Sequence, residues 1–290
     1  MQLTVPAAAY AAGSQELEFF TQLNVFRALH GLGLVAQSVA LDKANQNHLA
    51  YMLTNSDVNY SDVDPKTGVP YAHEEDPARP GYTGVAPIDR ARFAGYAVTW
   101  TGEEVSYGLG RGGANAFASL LGTVYHRQGL MFQAPHDFGI SAGNDKYQTT
   151  TLSFGIADKR QRNASDYFGA YPADKQTGVP LSMVAEVPTP FADVVGNDFA
   201  IKTSYPIDVA SEESTTLKVE SFTMTEAGQT VALDARLLTA DNDPSKLLGK
   251  NTAYLVGKAP FKANTTYNVS FKGTVNGVAV TKTWSFATGQ

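Results

Sequence analysis

The chain has no cysteine, no run of basic residues and no long apolar stretch, and each absence excludes something. Without cysteine, none of its 290 residues can form a disulfide. A net charge of −6 without a basic run makes nucleic acid and anionic membrane surfaces poor partners. No apolar stretch approaches the roughly 18–20 residues that cross a bilayer, so we predict no transmembrane segment. The N-terminus has no basic region, so we expect no signal peptide in this chain.

The composition is that of a folded, exported protein. Hydrophobic residues make up 43% of the chain and charged residues 17%, which is typical of a protein with a packed core. A length of 290 residues is enough for one large domain or two ordinary ones. Fourteen tyrosines, many threonines and sparse lysine in the second half favour an extracellular or cell-envelope location.

Helical patterns dominate the first half of the chain. Apolar residues at three- and four-residue spacing, with caps and stop signals, predict helices over 14–31, 38–54, 87–95 and 113–124. Alternating segments that follow them, such as "YQTTTLSFGIAD", predict strands. Residues 55–86 form one long loop, and loops of that length are usually functional or disordered. Helices followed by strands indicate an α+β fold.

The composition changes after about residue 180. Pro180, Pro188 and Pro190 predict a linker over residues 181–192. Beyond it, six or seven short strand-like segments with turn signals predict an immunoglobulin-like β-sandwich over 193–290. Asn276-Gly277 between the last two segments predicts a two-residue hairpin turn. We therefore predict a first domain over 1–180, a linker and a β-sandwich domain.

Three local motifs resemble known sites but lack their context. The G-x-G-x-x-G at 108–113 fits the dinucleotide fingerprint, yet no parallel βαβ unit surrounds it. The G-x-S-x-G at 139–143 fits a nucleophile elbow, but that triad needs a histidine after the serine and the last one is His136. "NSDVNYSDVD" at 55–64 resembles a calcium loop without its central glycine, and a solvated acidic loop is the favoured interpretation.

Histidines and glutamates give the best candidates for a site. His48 lies on the apolar face of its helix, which favours a hydrogen-bonded core histidine. His73 in "HEED" and His126 in "HRQ" lie beside polar groups at element boundaries, and Glu103 and Glu104 fall in a strand between them. Two imidazoles and a carboxylate are the ligand set of many catalytic zinc sites, and the same trio can do acid–base chemistry. The spacing has no local signature for either.

Six motifs in a fixed order are more informative than any one of them. The motifs are "LNVFRALHGLGLV" (23–35), "LDKANQNHLAYM" (41–52), "AHEED" (72–76), "DRARFAGY" (89–96), "GEEVSYG" (102–108) and "YHRQGLMFQAPHDFGIS" (125–141). Together they resemble a CAP-superfamily domain, the SCP-like group of exported proteins, in its bacterial branch. The tail resembles the β-sandwich domains that follow CAP domains in bacteria.

The resemblance implies an α-β-α sandwich with a cleft lined by two histidines and two glutamates. By position, the first histidine falls on His73, the first glutamate on Glu103 and the second histidine on His126. The second glutamate has no counterpart between Glu103 and His126. No cofactor is certain: zinc or another divalent metal on His73 and His126 is the candidate, and the missing second glutamate weakens a tight metal site. We expect Glu75 and Asp76 to stay in solvent. The predicted cavity residues are His73, Glu103, His126, Glu74, Glu104 and Arg127.

The family also implies a function. Its members bind sterols and other lipids, or act as effectors, without agreed catalysis, so we expect a cleft that binds a small molecule or lipid, or a cell-wall or surface component. The alternative is a metal-assisted hydrolase that uses His73, Glu103 and His126 as ligands and Glu104 as base. A third hypothesis is an adhesion or wall-associated spacer whose β-domain supplies the partner surface.

Overall fold

A computed structural model gives the fold of this chain, and its contacts divide the chain into two compact units. The first unit consists of Met1–Leu120 and Gly129–Arg162, and the second of Leu121–Gln128 and Asn163–Gln290. The residues that the structure describes are 1–107, 113–191, 193–194 and 198–290.

The change from the first unit to the second at Arg162 precedes the boundary predicted at residue 180. Most of the predicted linker packs within the second unit. The carbonyl oxygen of Leu181 accepts hydrogen bonds from the backbone N–H groups of Tyr205 (3.3 Å) and Phe261 (2.8 Å). Met183 and Phe191 are buried. The assignment of these parts to a CAP-like domain, a linker and an immunoglobulin-like domain stays a prediction.

The helices begin at the predicted capping residues. The Ser14 hydroxyl accepts from the N–H of Leu17 at 3.2 Å, and Ser38 caps the second helix in the same way. Pro87 occupies the first turn of the third helix. All four predicted helices are confirmed, with small differences at their ends. The helices are α1 Gln15–Leu29, α2 Val39–Thr54, a 3₁₀ turn at Tyr71–His73, α3 Pro87–Phe93, α4 Gly113–Leu121 and α5 Tyr125–Met131.

The first unit contains a four-stranded sheet on which α2 packs. Its strands are β1 Ala36–Gln37, β2 Trp100–Ser106, β3 Asp137–Ala142 and β4 Thr150–Ile156, in the order β1-β3-β4-β2. The β1–β3 pair is parallel and the others are antiparallel. A Cβ on Gly139 of β3 would lie 2.4 Å from the backbone nitrogen of Asp42. Most of the G-x-S-x-G segment is therefore strand β3, and its Gly139 lets α2 approach closely. The glycines at 108 and 110 of the G-x-G-x-x-G motif lie outside the described residues.

The second unit contains two four-stranded sheets in its described residues. Their orders are β5-β7-β10-β9 and β6-β12-β11-β8, and only the β6–β12 pair is parallel. Phe168 of the first sheet contacts Phe271 of the second, with ring centroids 5.3 Å apart. The elements are β5 Phe168–Tyr171, β6 Gln176–Val179, α6 Phe199–Lys202, β7 Ile207–Ser211, β8 Leu217–Glu226, β9 Ala235–Thr239, β10 Thr252–Gly257, β11 Thr266–Val275 and β12 Val278–Thr288.

The six strands predicted in the second half are confirmed as β7 to β12. Burial alternates along β11, whereas β7 is buried along its whole length. Asn276 and Gly277 have φ angles of 50° and 83° and form the turn between β11 and β12. The sequence interpretation missed the strands β1, β5 and β6 and the short helices α5 and α6. The chain is an α+β protein, and no helix in its described ranges is long and apolar enough to span a bilayer.

Candidate functional site

Five titratable side chains meet inside the first unit, and we call them the charged cluster: His48, His73, Glu75, Arg90 and Glu103. They come from separate elements, namely α2, the 3₁₀ turn and the residues just after it, α3 and β2. Four of them are almost completely buried, and only His73 reaches solvent, with 21% of its side chain exposed. Buried charges need partners, and each member finds one among the others.

Glu103 lies at the centre of the charged cluster. Arg90 Nη2 donates to both of its carboxylate oxygens, at 2.9 Å to Oε1. The imidazoles of His48 (Nε2, 3.5 Å) and His73 (Nδ1, 3.6 Å) also face Oε1. Burial alone would raise the pKa of Glu103, but Arg90, His48 and His73 together outweigh it and lower the pKa to about 2. Glu103 is therefore ionised at neutral pH.

His48 is hydrogen-bonded through both ring nitrogens. Nδ1 lies 2.9 Å from Glu75 Oε1, and Nε2 lies 2.9 Å from the carbonyl oxygen of Ala72. Both ring nitrogens of His48 therefore face oxygen atoms at hydrogen-bond distance, and neither is left for a further ligand. The prediction of a hydrogen-bonded core histidine is confirmed.

Glu75 is buried, so the prediction that it stays in solvent was wrong. Its Oε2 accepts from the backbone N–H of Thr83 at 2.6 Å, and its Oε1 faces His48. The 55–86 loop folds back on itself and supplies the Thr83 donor, while His48 comes from α2, and both contacts offset the loss of hydration. Asp76, the next residue, is exposed as predicted.

Arg90 connects the loop to the sheet. Besides Glu103, its Nη1 donates to the carbonyl oxygens of Val85 at 2.9 Å and His73 at 3.2 Å. Sequence reasoning did not select Arg90 or Glu75 as members of a site. No local spacing marks them, because their partners come from parts of the chain far apart in sequence. Arg90 and Ala91 are the buried residues of α3, and the sequence of this short helix does not indicate which of its sides is buried.

The charged cluster does not fit a divalent metal. Both oxygens of Glu103 face the Arg90 guanidinium, whose charge would repel a cation, and both nitrogens of His48 are occupied. In the parts of the chain that the structure describes, no three His, Asp or Glu side chains are arranged to hold a metal. The metal that the resemblance implies therefore has no donor set in this cluster.

His126 belongs to the second unit, where it faces another glutamate. Its Nδ1 lies 3.0 Å from Glu186 Oε2. Glu186 also accepts from the backbone N–H groups of Val124 (2.8 Å) and Tyr125 (3.0 Å), at the start of α5. A carboxylate at this position satisfies N–H groups that the helix leaves unpaired. The grouping of His126 with His73 and Glu103 stays a prediction.

Arg127 is a core residue of the second unit. Its guanidinium lies 4.8 and 4.6 Å from the ring centroids of Tyr171 and Tyr205, and Nη1 donates to Asp208 at 2.9 Å. Nε donates to the carbonyl oxygen of Leu121 at 2.7 Å. Burial raises the pKa of Asp208 to about 6, against the attraction of Arg127. These contacts give Arg127 a packing role in this unit.

Glu104 lies on the opposite face of β2 from Glu103, because side chains alternate along a strand. A Cβ on Gly129 would lie 1.7 Å from Glu104 Oε1, so the carboxylate rests directly over this glycine. Glu104 is only half-buried, and it does not join the charged cluster.

Glu74 lines a cavity of about 650 Å³ formed by the long loop and α2, which we call the loop cleft. Its wall also contains Glu75, so the loop cleft and the charged cluster share a residue. Asp57 of the acidic segment pairs with Arg79 at 2.9 Å. The lining residues are Tyr51, Val58, Asn59, Tyr60, Asp62, Asp64, Pro65, Lys66, Thr67, Tyr71, Glu74, Glu75, Asp76, Pro77, Arg79 and Val85.

Comparison with known proteins gives distant structural similarity. No family model matches the sequence, and no curated protein matches it. An extracellular protein containing an SCP domain from Bacillus anthracis aligns with 49% of this chain and 40% of its own, at 17% identity and a TM-score of 0.36. An outer surface protein from Borrelia burgdorferi aligns with 49% of this chain and 90% of its own, at 14% identity and a TM-score of 0.37. Similarity at this level establishes no family, so the CAP resemblance stays a prediction.

Proposed function

We propose that the protein is an extracellular, CAP-like binding module whose loop cleft holds a small organic molecule. The observation that carries this proposal is the cleft itself. Its volume of about 650 Å³ falls in the range of ligand sites, and its wall combines aromatic rings with a few polar groups. The extracellular location and the family rest on the composition and on the ordered motifs in the sequence.

Hydrogen bonds support a cleft that exists before a ligand arrives. The Tyr51 hydroxyl accepts from the backbone N–H of Asp76 at 2.8 Å, and the Tyr60 hydroxyl donates to the Asn55 carbonyl at 3.2 Å. Glu75 holds the inner wall through His48 and Thr83. A wall fixed in this way loses little conformational entropy on binding.

Catalysis by a metal is the weaker alternative. The hydrolase hypothesis needs Glu103 as a free ligand, and Arg90 already neutralises that carboxylate. The charged cluster is better suited to hold α2, α3, β2 and the loop together beneath the cleft.

The test blocks the cleft and leaves the fold intact. Val85 lines the cleft and is 42% exposed, so Val85→Trp fills the cavity with an indole ring. Val231→Trp is the matched control, because Val231 is 77% exposed in the second unit. We expect ligand-observed NMR with a fragment library to find compounds that bind the wild type and Val231→Trp but not Val85→Trp. If no binder depends on Val85, the loop cleft is not the site.

A further inference from the structure

The wall of the loop cleft has an excess of negative charge. Only Lys66 and Arg79 contribute positive charge, and Arg79 Nη1 already contacts both carboxylate oxygens of Asp57, at 2.9 and 3.0 Å. A concave surface of one sign focuses the electrostatic potential and raises the local concentration of the opposite charge. The carboxylates in the wall are those of Asp62, Asp64, Glu74, Glu75 and Asp76.

Two of these carboxylates are available to a ligand. In the ranges that the structure describes, the side chains of Asp62 and Glu74 accept no hydrogen bond and form no ion pair. The others are engaged: Glu75 with His48 and Thr83, and Asp64 and Asp76 with backbone N–H groups two residues further along the chain. The open acceptors of the cleft are therefore anionic.

Three tyrosines line the same cavity. Tyr51 and Tyr60 are almost completely buried and their hydroxyls are engaged, so they form the base of the cavity. Tyr71 is partly exposed and offers its ring to a ligand. The face of an aromatic ring attracts cations, and together with Val58 and Val85 the Tyr71 ring also accommodates an apolar body.

We infer that the loop cleft binds an organic cation, an ammonium group carried on an apolar body. The ammonium lies near Asp62 and Glu74, and the apolar part contacts Tyr71, Val58 and Val85. This inference rests on the proposed function, and it specifies the charge and class of the ligand. A neutral lipid or an anion would leave the two open carboxylates unpaired.

Three probes with one apolar body separate charge from shape. They are 3-phenylpropylamine, which is a cation at pH 7, the neutral 3-phenylpropan-1-ol and the anionic 3-phenylpropanoate. With two open carboxylates, we expect the amine to bind the full-length chain about tenfold more tightly than the alcohol, and the anion to bind most weakly. The preference should shrink when the salt concentration rises from 0.05 to 0.5 M, because salt screens exposed charges.

Isosteric variants test whether Asp62 and Glu74 cause the preference for the amine. Asp62→Asn combined with Glu74→Gln should reduce the affinity for the amine to that for the alcohol and leave the alcohol unchanged. Asp166→Asn combined with Asp241→Asn is the matched control, since both residues are exposed carboxylates of the second unit and the change in net charge is identical. Lys66→Ala should strengthen binding of the amine, because it removes a competing cation from the wall.

The outcomes distinguish the two proposals. Equal or tighter binding of the alcohol or the anion overturns the organic cation and leaves the cleft as a binding site. Amine binding that survives the Asp62 and Glu74 changes but is lost in Val85→Trp also overturns it. If none of the probes binds while the fragment screen finds binders that depend on Val85, the ligand class is wrong and the proposed function stands. If the screen finds none either, both proposals fail.

Discussion

Replacing Arg90 by methionine should destabilise the first unit strongly. Methionine has a similar length and no charge, so the substitution removes the guanidinium while filling most of its space. Glu103 would then stay buried beside a weaker set of partners, and the carbonyl oxygens of Val85 and His73 would lose their donors. Breaking a buried pair by removing one partner costs about 3–5 kcal/mol, and we expect a loss of unfolding free energy in this range.

The pH dependence of this loss provides a second check. In the wild type the pKa of Glu103 falls from 4.5 to about 2, which corresponds to about 3 kcal/mol of stability. Because the folded pKa lies below the unfolded one, this stability is present above pH 4.5 and is lost as the pH falls through 2. Without Arg90 the depression of the pKa is smaller. The difference between the wild type and Arg90→Met should therefore be largest near pH 7 and should shrink below pH 4.5.

The chain contains two tryptophans, one in each unit, and this makes the assay specific. Trp100 lies in β2, the strand that carries Glu103, and Trp284 lies in β12 of the second unit. In a Trp284→Phe background, denaturant unfolding followed by fluorescence reports on the first unit. In a Trp100→Phe background it reports on the second.

Arg92→Met is the matched control for Arg90→Met. Arg92 is on the same helix, its side chain is 59% exposed and it lies 3.6 Å from Asp89. An exposed pair of this kind contributes about 1 kcal/mol or less, so we expect little change. If Arg90→Met cost no more than Arg92→Met, or if its cost did not vary with pH, the charged cluster would not be the electrostatic centre of the first unit.

Two further predictions concern packing and titration. Gly139→Ala places a Cβ 2.4 Å from the backbone nitrogen of Asp42. In the Trp284→Phe background, where Trp100 reports on the first unit, the free energy of unfolding should fall by about 1–3 kcal/mol. An unchanged value would mean that α2 packs less closely on β3. Burial raises the pKa of Asp208 from 3.8 to about 6, so the contribution of Asp208 to the stability of the second unit should be complete below pH 3.8 and should be lost as the pH rises through 6. In the Trp100→Phe background, where Trp284 reports on the second unit, Asp208→Asn should abolish this dependence of the unfolding free energy on pH. A pH dependence that persists would exclude Asp208 as its source.

Local patterns predicted the elements of this protein well. The helix caps at Ser14 and Ser38, the proline at the start of α3 and the Asn276-Gly277 turn were all predictable, because each depends on residues within a few positions in sequence. β5 and β6 were not predicted. They have four residues each, which is too short for alternation to stand out.

The sequence by itself determined the α+β class, the principal helices and strands and the burial of His48, since periodicity and local capping encode them. Only the tertiary structure decided which charges meet. Glu75 was expected in solvent, and Arg90 was not expected in a site, yet both face Glu103 or His48 inside the first unit. The physical reason is that a buried charge is stabilised by whatever partner the fold brings within about 3 Å, and sequence spacing does not record that distance.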